Sequence, residues 1–174
     1  MDSKNTQDLT GHEAIGKLQE LIKGQNTCLF GTRLTRHPIN VRPMSTQQVD
    51  DEGAFWFLSG ASSEKNRDIL ENAHVQLFYA NPGSSEFLTV YGTCGIVTDR
   101  ERIKEHWSSL AKAWFPEGVD DPDITLLRVA PEEAHYWDTK NGKAIAFLKI
   151  VAAAMSGNTN DSDGVQGELR VGVK

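Results

Sequence analysis

Short turns separate most of the β-type segments in this 174-residue chain, and they limit the folds open to it. His37-Pro38, Asp50-Asp51-Glu52-Gly53 and Asn81-Pro82-Gly83 each lie between segments rich in β-branched and aromatic residues. Turns this short join antiparallel strands, whereas parallel strands need a crossover of about a dozen residues or more. The pattern therefore argues against a parallel βαβ sheet. It predicts a mainly β, α+β or barrel domain with six strands and flanking helices.

Residue periodicity predicts where these elements lie. Alternating apolar residues predict strands over 27–35, 39–46, 54–59, 74–80, 86–98, and 124–129 with 134–138 as one last strand broken by Pro131. Helical spacing predicts helices over 12–23, 64–72 and 99–113, with Thr10 and Asp99 as N-cap residues. We expect Phe55 and Phe57 to face the core and Trp56 the opposite side. Ile69 and Leu70 are both expected to face inward.

The domain prediction divides the chain near residue 140. Residues 1–140 are expected to form one ligand-binding domain, and 141–174 a C-terminal helix and flexible tail. Within the tail, the apolar side chains of Ile145, Leu148, Ala152 and Met155 share one helical face. Residues 156–167 are polar and Gly-rich, and alternation over 168–174 predicts a short terminal strand.

Composition excludes several functional classes. The charged fraction is 24% and the formal net charge is −6, so nucleic acid and anionic membrane surfaces are poor candidate partners. No window approaches the roughly 20 apolar residues that span a bilayer. The first ten residues lack the apolar stretch of a secretory signal, and we expect a cytoplasmic protein. Cys28 and Cys94 lie in apolar runs without CxxC spacing, as buried reduced thiols do.

Five polar side chains near residues 42–65 predict an anion site. Arg42 and Ser45 lie in one predicted strand, while Ser62, Ser63 and Lys65 lie at the start of the predicted 64–72 helix. Unpaired amides and the helix dipole at such a start favour an anion. The two neighbouring strands offer a flat apolar surface with backbone donors. A phosphate beside a flat ring describes a nucleotide-like cofactor, and flavin mononucleotide (FMN) fits best.

Simpler interpretations of the same residues stay open. Arg42 alone is consistent with an exposed strand charge or a surface ion pair, and the serines alone are ordinary helix N-caps. The five histidines have no metal-ligand spacing, so no metal is expected. No side chain stands out as a general base, and catalysis would belong to the cofactor. Trp114, at the end of the predicted 99–113 helix, is less needed for packing and is placed to cover a flavin.

Eight short motifs carry a resemblance that covers about residues 9–138. They are Arg42-Pro43-Met44, Trp56-Phe57-Leu58, Ser62-Ser63-Glu64-Lys65, Val97-Thr98-Asp99-Arg100, Trp114-Phe115-Pro116-Glu117-Gly118, Asp121-Pro122-Asp123, Leu126-Leu127-Arg128-Val129 and Tyr136-Trp137-Asp138. In this order they resemble the pyridoxamine 5'-phosphate oxidase-like superfamily and, within it, the general stress protein family.

The resemblance implies a split β-barrel that binds FMN at the interface of a homodimer. Arg42 and the Ser62–Lys65 helix start would hold the phosphate, and Trp114 would approach from the partner subunit. Backbone of two strand segments would run along the isoalloxazine ring, namely Met44, Ser45, Thr46, Phe57, Leu58 and Ser59. FAD remains an alternative cofactor. NAD(P)H is one candidate electron donor, and the sequence does not identify the donor or the acceptor.

The C-terminal segment departs from the vitamin oxidases of this superfamily. Residues 168–174 do not match their Arg-Leu-x-Pro type ending, so oxidation of pyridoxamine 5'-phosphate is not expected. Three hypotheses remain: an FMN-dependent oxidoreductase of the general stress type, a non-catalytic protein that binds or sequesters flavin, and a barrel that binds an apolar ligand without flavin.

Overall fold

The computed structural model describes residues 7–139 and 164–171, in which groups of consecutive strands are separated by helices. The strands are β1 (Leu9–Thr10), β2 (Thr27–Thr32), β3 (Asn40–Val49), β4 (Phe55–Gly60), β5 (His74–Asn81), β6 (Glu86–Val97), β7 (Ile124–Thr139) and β8 (Gly164–Arg170). The helices are α1 (Gly11–Gly24), α2 (Glu64–Glu71) and α3 (Arg100–Glu105), and two 3₁₀ turns cover Ser109–Ala113 and Gly118–Asp120.

Six of these strands close into an antiparallel barrel. The order is β2-β3-β4-β7-β6-β5, and β5 pairs again with β2. Closure leaves these six strands without the exposed edges that invite unwanted pairing. β8 continues the sheet beside β7, and β1 adds a parallel pair at Leu9 and Leu169. The predicted six-stranded antiparallel barrel is confirmed.

Strand β7 lies between β4 and β6 in the barrel, and it also pairs with β8 outside the barrel. The predicted break at Pro131 is wrong, because β7 passes this residue with a bulge. Tyr91 pairs with Glu133 and Gly92 with Pro131, which leaves Glu132 without an opposite residue. A bulge is one of the few positions in a sheet that tolerates proline, because the ladder is already interrupted there.

The side chains of β4 divide the interior into two apolar clusters. Phe55 and Phe57 lie in the barrel core, whereas Trp56 packs on the outer side with Ile103 and Phe115. The predicted alternation is confirmed, although all three aromatic rings are buried. Cys28 and Cys94 are free, buried thiols as expected. Burial raises the pKa of each to about 12.

Several helix predictions need correction. Leu70 was expected to face inward, but its side chain is 78% exposed. The buried face of the short helix α2 consists of Asn66, Asp68 and Ile69, and Leu70 lies outside it. The predicted 99–113 helix is broken: Asp99 caps α3, which ends at Glu105, and a 3₁₀ turn follows after Ser108. Serines favour such interruptions because they compete for backbone hydrogen bonds. Thr10 occupies the N-cap position of α1 but makes no side-chain capping bond.

The C-terminal prediction is only partly covered by the structure. The terminal strand exists as β8, and it begins at residue 164 rather than 168. The helical face of Ile145, Leu148, Ala152 and Met155 lies outside the described residues. Within the described ranges, no helix is both long enough and apolar enough to span a membrane.

Candidate functional site

Helix α2 covers the end of the barrel at which β2 stops and β3 begins, and Arg42 lies there. Arg42 pairs across the sheet with the buried Phe30, so it shares the inner face of β3. Its side chain is 22% exposed. Its Nη1 donates to Oγ1 of Thr32 at 2.7 Å, and its Nη2 lies 3.6 Å from Oδ2 of Asp68. Arg42 is therefore a half-buried, oriented cation rather than an exposed strand charge.

The carboxylate of Asp68 fixes this end of the site. It accepts hydrogen bonds from Oγ1 of Thr32 at 2.6 Å and from Nδ2 of Asn40 at 2.9 Å. Burial alone would raise the pKa of Asp68. The two hydrogen bonds and the charges of Arg42 and Arg33 outweigh it, and the pKa lies below its usual value. Asp68 is ionised at neutral pH and holds Arg42 in place.

Lys65 is a second cation beside Arg42, one helical turn before Asp68 on α2. It is half-buried, and its Nζ makes no hydrogen bond or ion pair with any described residue. Burial, followed by the positive charge of Arg42, lowers the pKa of Lys65, while the carboxylate of Asp123 opposes the shift. Two adjacent cations, one of them lacking a close anionic partner, favour the binding of an anion between them.

The two serines at the start of α2 make different contacts. The amide and hydroxyl of Ser62 both donate to the carboxylate of Asp123, at 2.9 Å each. Ser63 is the N-cap residue, and its hydroxyl accepts from the amide of Asn66 at 3.4 Å and donates to Oδ1 of Asn66 at 3.1 Å. A phosphate at the start of α2 would therefore compete with the carboxylate of Asp123 for Ser62 and with the amide oxygen of Asn66 for Ser63.

Ser45 does not join the two cations. It lies three residues after Arg42 on β3, so strand alternation turns it to the outer, exposed face. The structure thus brings Arg42, Lys65 and the start of α2 together and leaves the hydroxyl of Ser45 apart. Only the backbone of Ser45 faces the neighbouring strand, where it pairs with Thr27 of β2.

The strands predicted to lie along a ring present mainly backbone. Thr46 is buried, and its hydroxyl lies 2.6 Å from the hydroxyl of Tyr79. Phe57 is in the core, and Ser59 donates to Oδ1 of Asn66 at 2.6 Å. Met44 and Leu58 are half-buried. The side chains of Thr46, Phe57 and Ser59 are buried on the barrel side and that of Leu58 packs against the outer cluster, so these residues offer a ligand chiefly peptide groups.

A bulge and an open groove adjoin this stretch of β3. Thr46 pairs with Phe57 and Gln48 with Trp56, so Gln47 is an extra residue in the ladder. A groove of about 630 Å³ lies between α1 and β3, and its walls include Gln19, Thr46 and Gln47. This volume falls within the range of small-molecule sites.

Trp114 is 74% exposed at the end of the 3₁₀ turn Ser109–Ala113. Leu110, one turn earlier, is exposed to a similar degree. The described residues provide no ring contact for Trp114, so the indole is available to cover a ligand or a second chain.

The sequence interpretation missed the polar residues that hold Arg42 and that anchor α2 against the barrel. They are Thr32, Asn40, Asn66, Asp68 and Thr125. Asn66 links α2 to β7 by donating to Oγ1 of Thr125 at 3.0 Å. Only Asp68 had a usable signal, because it lies three residues after Lys65 on the same helix face. The others contact the site through pairings that are distant in sequence.

The closed antiparallel barrel with a basic site beside α2 defines a split-barrel class of protein. A family model described as "Pyridoxamine 5'-phosphate oxidase like" matches residues 13–161, and the chain belongs to this family. The resemblance seen in its motifs is confirmed.

Three relatives illustrate this membership. A structure from Jannaschia sp. CCS1, provisionally assigned as general stress protein 26, is 28% identical with a TM-score of 0.71, over 91% of this chain and 96% of that one. The general stress FMN/FAD binding protein of Xanthomonas citri is 24% identical with a TM-score of 0.63, over 72% and 89%. Protein bli-3 of Neurospora crassa is 32% identical over 49% of this chain and 45% of its own. The chain thus spans less than half the length of the curated relatives it matches.

Proposed function

We propose that the chain binds flavin mononucleotide, with the phosphate between Arg42 and Lys65. The observation that carries this proposal is Lys65, a half-buried cation with no close anionic partner among the described residues and with its pKa depressed in part by Arg42. A phosphate would relieve both the burial and the repulsion. The unpaired amides in the first turn of α2 would supply further donors, and Ser63 would join them by exchanging its bond to Asn66 for one to the phosphate.

The ring would lie against the peptide groups of β3 and β4. The inward side chains of Thr46, Phe57 and Ser59 fix these strands, and their peptide groups would orient a flat ligand without side-chain rearrangement. The Xanthomonas citri relative, named as an FMN/FAD binding protein, supports a flavin in this fold. In a homodimer, Trp114 of a second copy would cover the ring.

We further propose that the flavin serves an oxidoreductase of the general stress type. Bound FMN would supply hydride and electron transfer between a reduced donor, taken to be NAD(P)H, and an acceptor. The chain's own residues bind and orient: Arg42 and Lys65 anchor the phosphate, and the strand peptides position the ring. Asp68 keeps the guanidinium of Arg42 aimed at the phosphate.

A non-catalytic role in flavin binding or sequestration is the second candidate. The observation that favours it is that the carboxylate of Asp68 is already engaged by Thr32, Asn40 and Arg42 and so is not free to act as a base. Steady-state oxidation of NADH and NADPH by the FMN-loaded protein, with quinone, nitro and ferricyanide acceptors, separates the candidates. Absorbance at 340 nm that stays flat with every acceptor favours sequestration.

The visible spectrum of the purified protein, before and after FMN addition and desalting, tests the binding proposal. We expect a retained and shifted flavin spectrum in a 1:1 ratio with the chain. A colourless protein that releases all added FMN would instead support a barrel that binds an apolar ligand.

A further inference from the structure

The carboxylate of Asp123 lies at the start of α2, on donors that a phosphate there would also use. Its Oδ1 accepts from the amide of Ser62 and its Oδ2 from the hydroxyl of Ser62, at 2.9 Å each. Ser62 directly precedes Ser63, the N-cap residue of α2. A carboxylate of the chain itself thus binds Ser62 in the way that the anionic group of a ligand would.

The fold holds this carboxylate in place. The carbonyl of Asp123 accepts from the amide of Ala61 at 2.7 Å, and the amide of Asp123 donates to Oδ1 of Asp121 at 2.9 Å. Gly60 leaves room for the side chain, because a Cβ at this position would lie 2.7 Å from Oδ2 of Asp123. The contact between Asp123 and Ser62 is therefore fixed by the backbone that leads from β4 to α2 and by the turn that leads into β7.

The charge of Asp123 also reaches Lys65, in the first turn of α2. Burial and the charge of Arg42 lower the pKa of Lys65, and the charge of Asp123 opposes them. The carboxylate of Asp123 is bonded to Ser62 rather than to the ammonium group of Lys65, which stays open to a ligand. An anion bound beside Lys65 would gain the attraction of Lys65 and Arg42 and would meet the repulsion of Asp123.

We propose that Asp123 is a specificity-determining residue that competes with the flavin phosphate for Ser62 and so sets how strongly the site prefers FMN over riboflavin, the same flavin without its phosphate. This inference rests on the proposed flavin function and deepens it. A phosphate at Ser62 would have to displace the carboxylate or lie beside it, and the two anions repel each other. The terminal hydroxyl of riboflavin is uncharged and can donate a hydrogen bond to a carboxylate. Asp123 therefore opposes the binding of FMN but not the binding of riboflavin.

Fluorescence titration of FMN and riboflavin into the wild-type chain, Asp123→Asn and Asp120→Asn tests this proposal. Asparagine has nearly the size of aspartate and keeps one oxygen acceptor for Ser62. We expect FMN affinity to rise about 5-fold or more in Asp123→Asn, because two unit charges a few ångström apart repel by this much even in water. Riboflavin affinity should not rise. Asp120 is exposed on the 3₁₀ turn Gly118–Asp120, so Asp120→Asn makes the same change in net charge and should alter neither affinity.

Two further variants show whether the charge of Asp123 is responsible. Asp123→Glu keeps the charge and should not share the rise in FMN affinity. If Asp123→Asn fails to fold, Asp123→Ser supplies a second neutral side chain with the same expectation. An FMN affinity that stays equal or falls in the neutral variant would overturn the proposal, and so would an equal rise for riboflavin or an equal rise in Asp123→Glu.

Inorganic phosphate separates this inference from the proposed function. If the wild-type chain binds neither flavin, the flavin function fails, and inorganic phosphate titrated by calorimetry into the wild-type chain, Asp123→Asn and Asp120→Asn judges Asp123 by itself. Stronger phosphate binding by Asp123→Asn than by the other two proteins supports competition for Ser62. Equal phosphate binding by all three proteins, or none, overturns it.

Discussion

Arg42 of β3 and Asp68 of α2 form an ion pair, with 3.6 Å between Nη2 and Oδ2, at the end of the barrel that α2 covers. The pair joins a strand to the helix that carries Lys65, so it fixes the spacing of the two cations. A partly buried pair of this kind costs desolvation and adds little net stability. Its value here is orientation, because Asp68 holds the guanidinium while leaving donors for a ligand.

Replacing Arg42 by alanine should weaken FMN binding by roughly 10- to 150-fold, the loss expected for one charge-assisted hydrogen bond. Riboflavin, which lacks the phosphate, should bind the variant as well as it binds the wild-type chain. Fluorescence titration of both flavins measures this difference. Arg36→Ala serves as the control, and an equal loss for riboflavin would show that Arg42 acts on the fold.

The affinity for FMN should fall as pH rises through the pKa of Lys65. Burial and Arg42 place this pKa below 10.5, and a bound phosphate favours the charged lysine. The decline should therefore begin before pH 10.5. The stability of the unliganded chain changes with pH in the opposite direction. Between the lowered pKa of folded Lys65 and 10.5, the unfolded state holds more protons than the folded state, so the free energy of unfolding rises with pH.

Titrations between pH 7 and 10.5 measure this pH dependence. Lys65→Met should weaken FMN binding at pH 7 and abolish the alkaline decline. Lys112→Met, at an exposed position on the 3₁₀ turn, is the control. An alkaline decline that persists unchanged in Lys65→Met would assign it to another group.

Trp114→Ala should leave the fold intact and weaken flavin binding. Because the indole is 74% exposed, we expect the free energy of unfolding to change by less than about 0.5 kcal/mol. An aromatic ring stacked on the flavin contributes about 0.5–1.5 kcal/mol, which corresponds to roughly a 2- to 10-fold loss of FMN affinity. Leu110→Ala removes a similarly exposed apolar group and should have no such effect. Unaltered FMN affinity in Trp114→Ala would exclude its covering role.

Gly92→Ala and Gly95→Ala should differ sharply although both glycines lie in β6. A Cβ on Gly92 would overlap the backbone carbonyl of Ala130 beside the bulge, whereas one on Gly95 meets no atom within 4 Å. We expect about 3 kcal/mol of destabilisation, or failure to fold, for Gly92→Ala. Gly95→Ala should be neutral or slightly stabilising, because alanine restricts the unfolded chain. Urea unfolding of both variants gives the comparison, and equal stabilities would contradict the described register.

The barrel was predictable because its turns are local. The stretches Asp50–Gly53 and Asn81–Gly83 specify hairpins by composition, and alternation placed Phe55 and Phe57 on the core face. The route past Pro131 was not predictable, since the rule against proline in strands is overridden by a bulge that depends on β6. The prediction that Leu70 faces inward was wrong for a similar reason. An apolar residue on a short helix does not indicate which helix face packs against the barrel.

The candidate site was only half predictable. The charges of Arg42 and Lys65 are visible in the sequence, and so is the helix start at Ser63. Their surroundings depend on contacts across the fold: Thr32 and Asn40 reach Asp68 from the ends of two other strands. Asn40 is 28 positions and Thr32 is 36 positions before Asp68. Hydrogen bonds over such separations leave no periodic signal in a single sequence.

The three-way pairing of β7 has a consequence for how the length of this chain can vary. One added residue in β7 would turn every later side chain to the opposite face, against β6 and β8 together. Glu132 is already an additional residue at the bulge, so the strand there has room to change its count. We expect tolerated insertions and deletions in β7 to concentrate beside Glu132 and to be absent around Leu127.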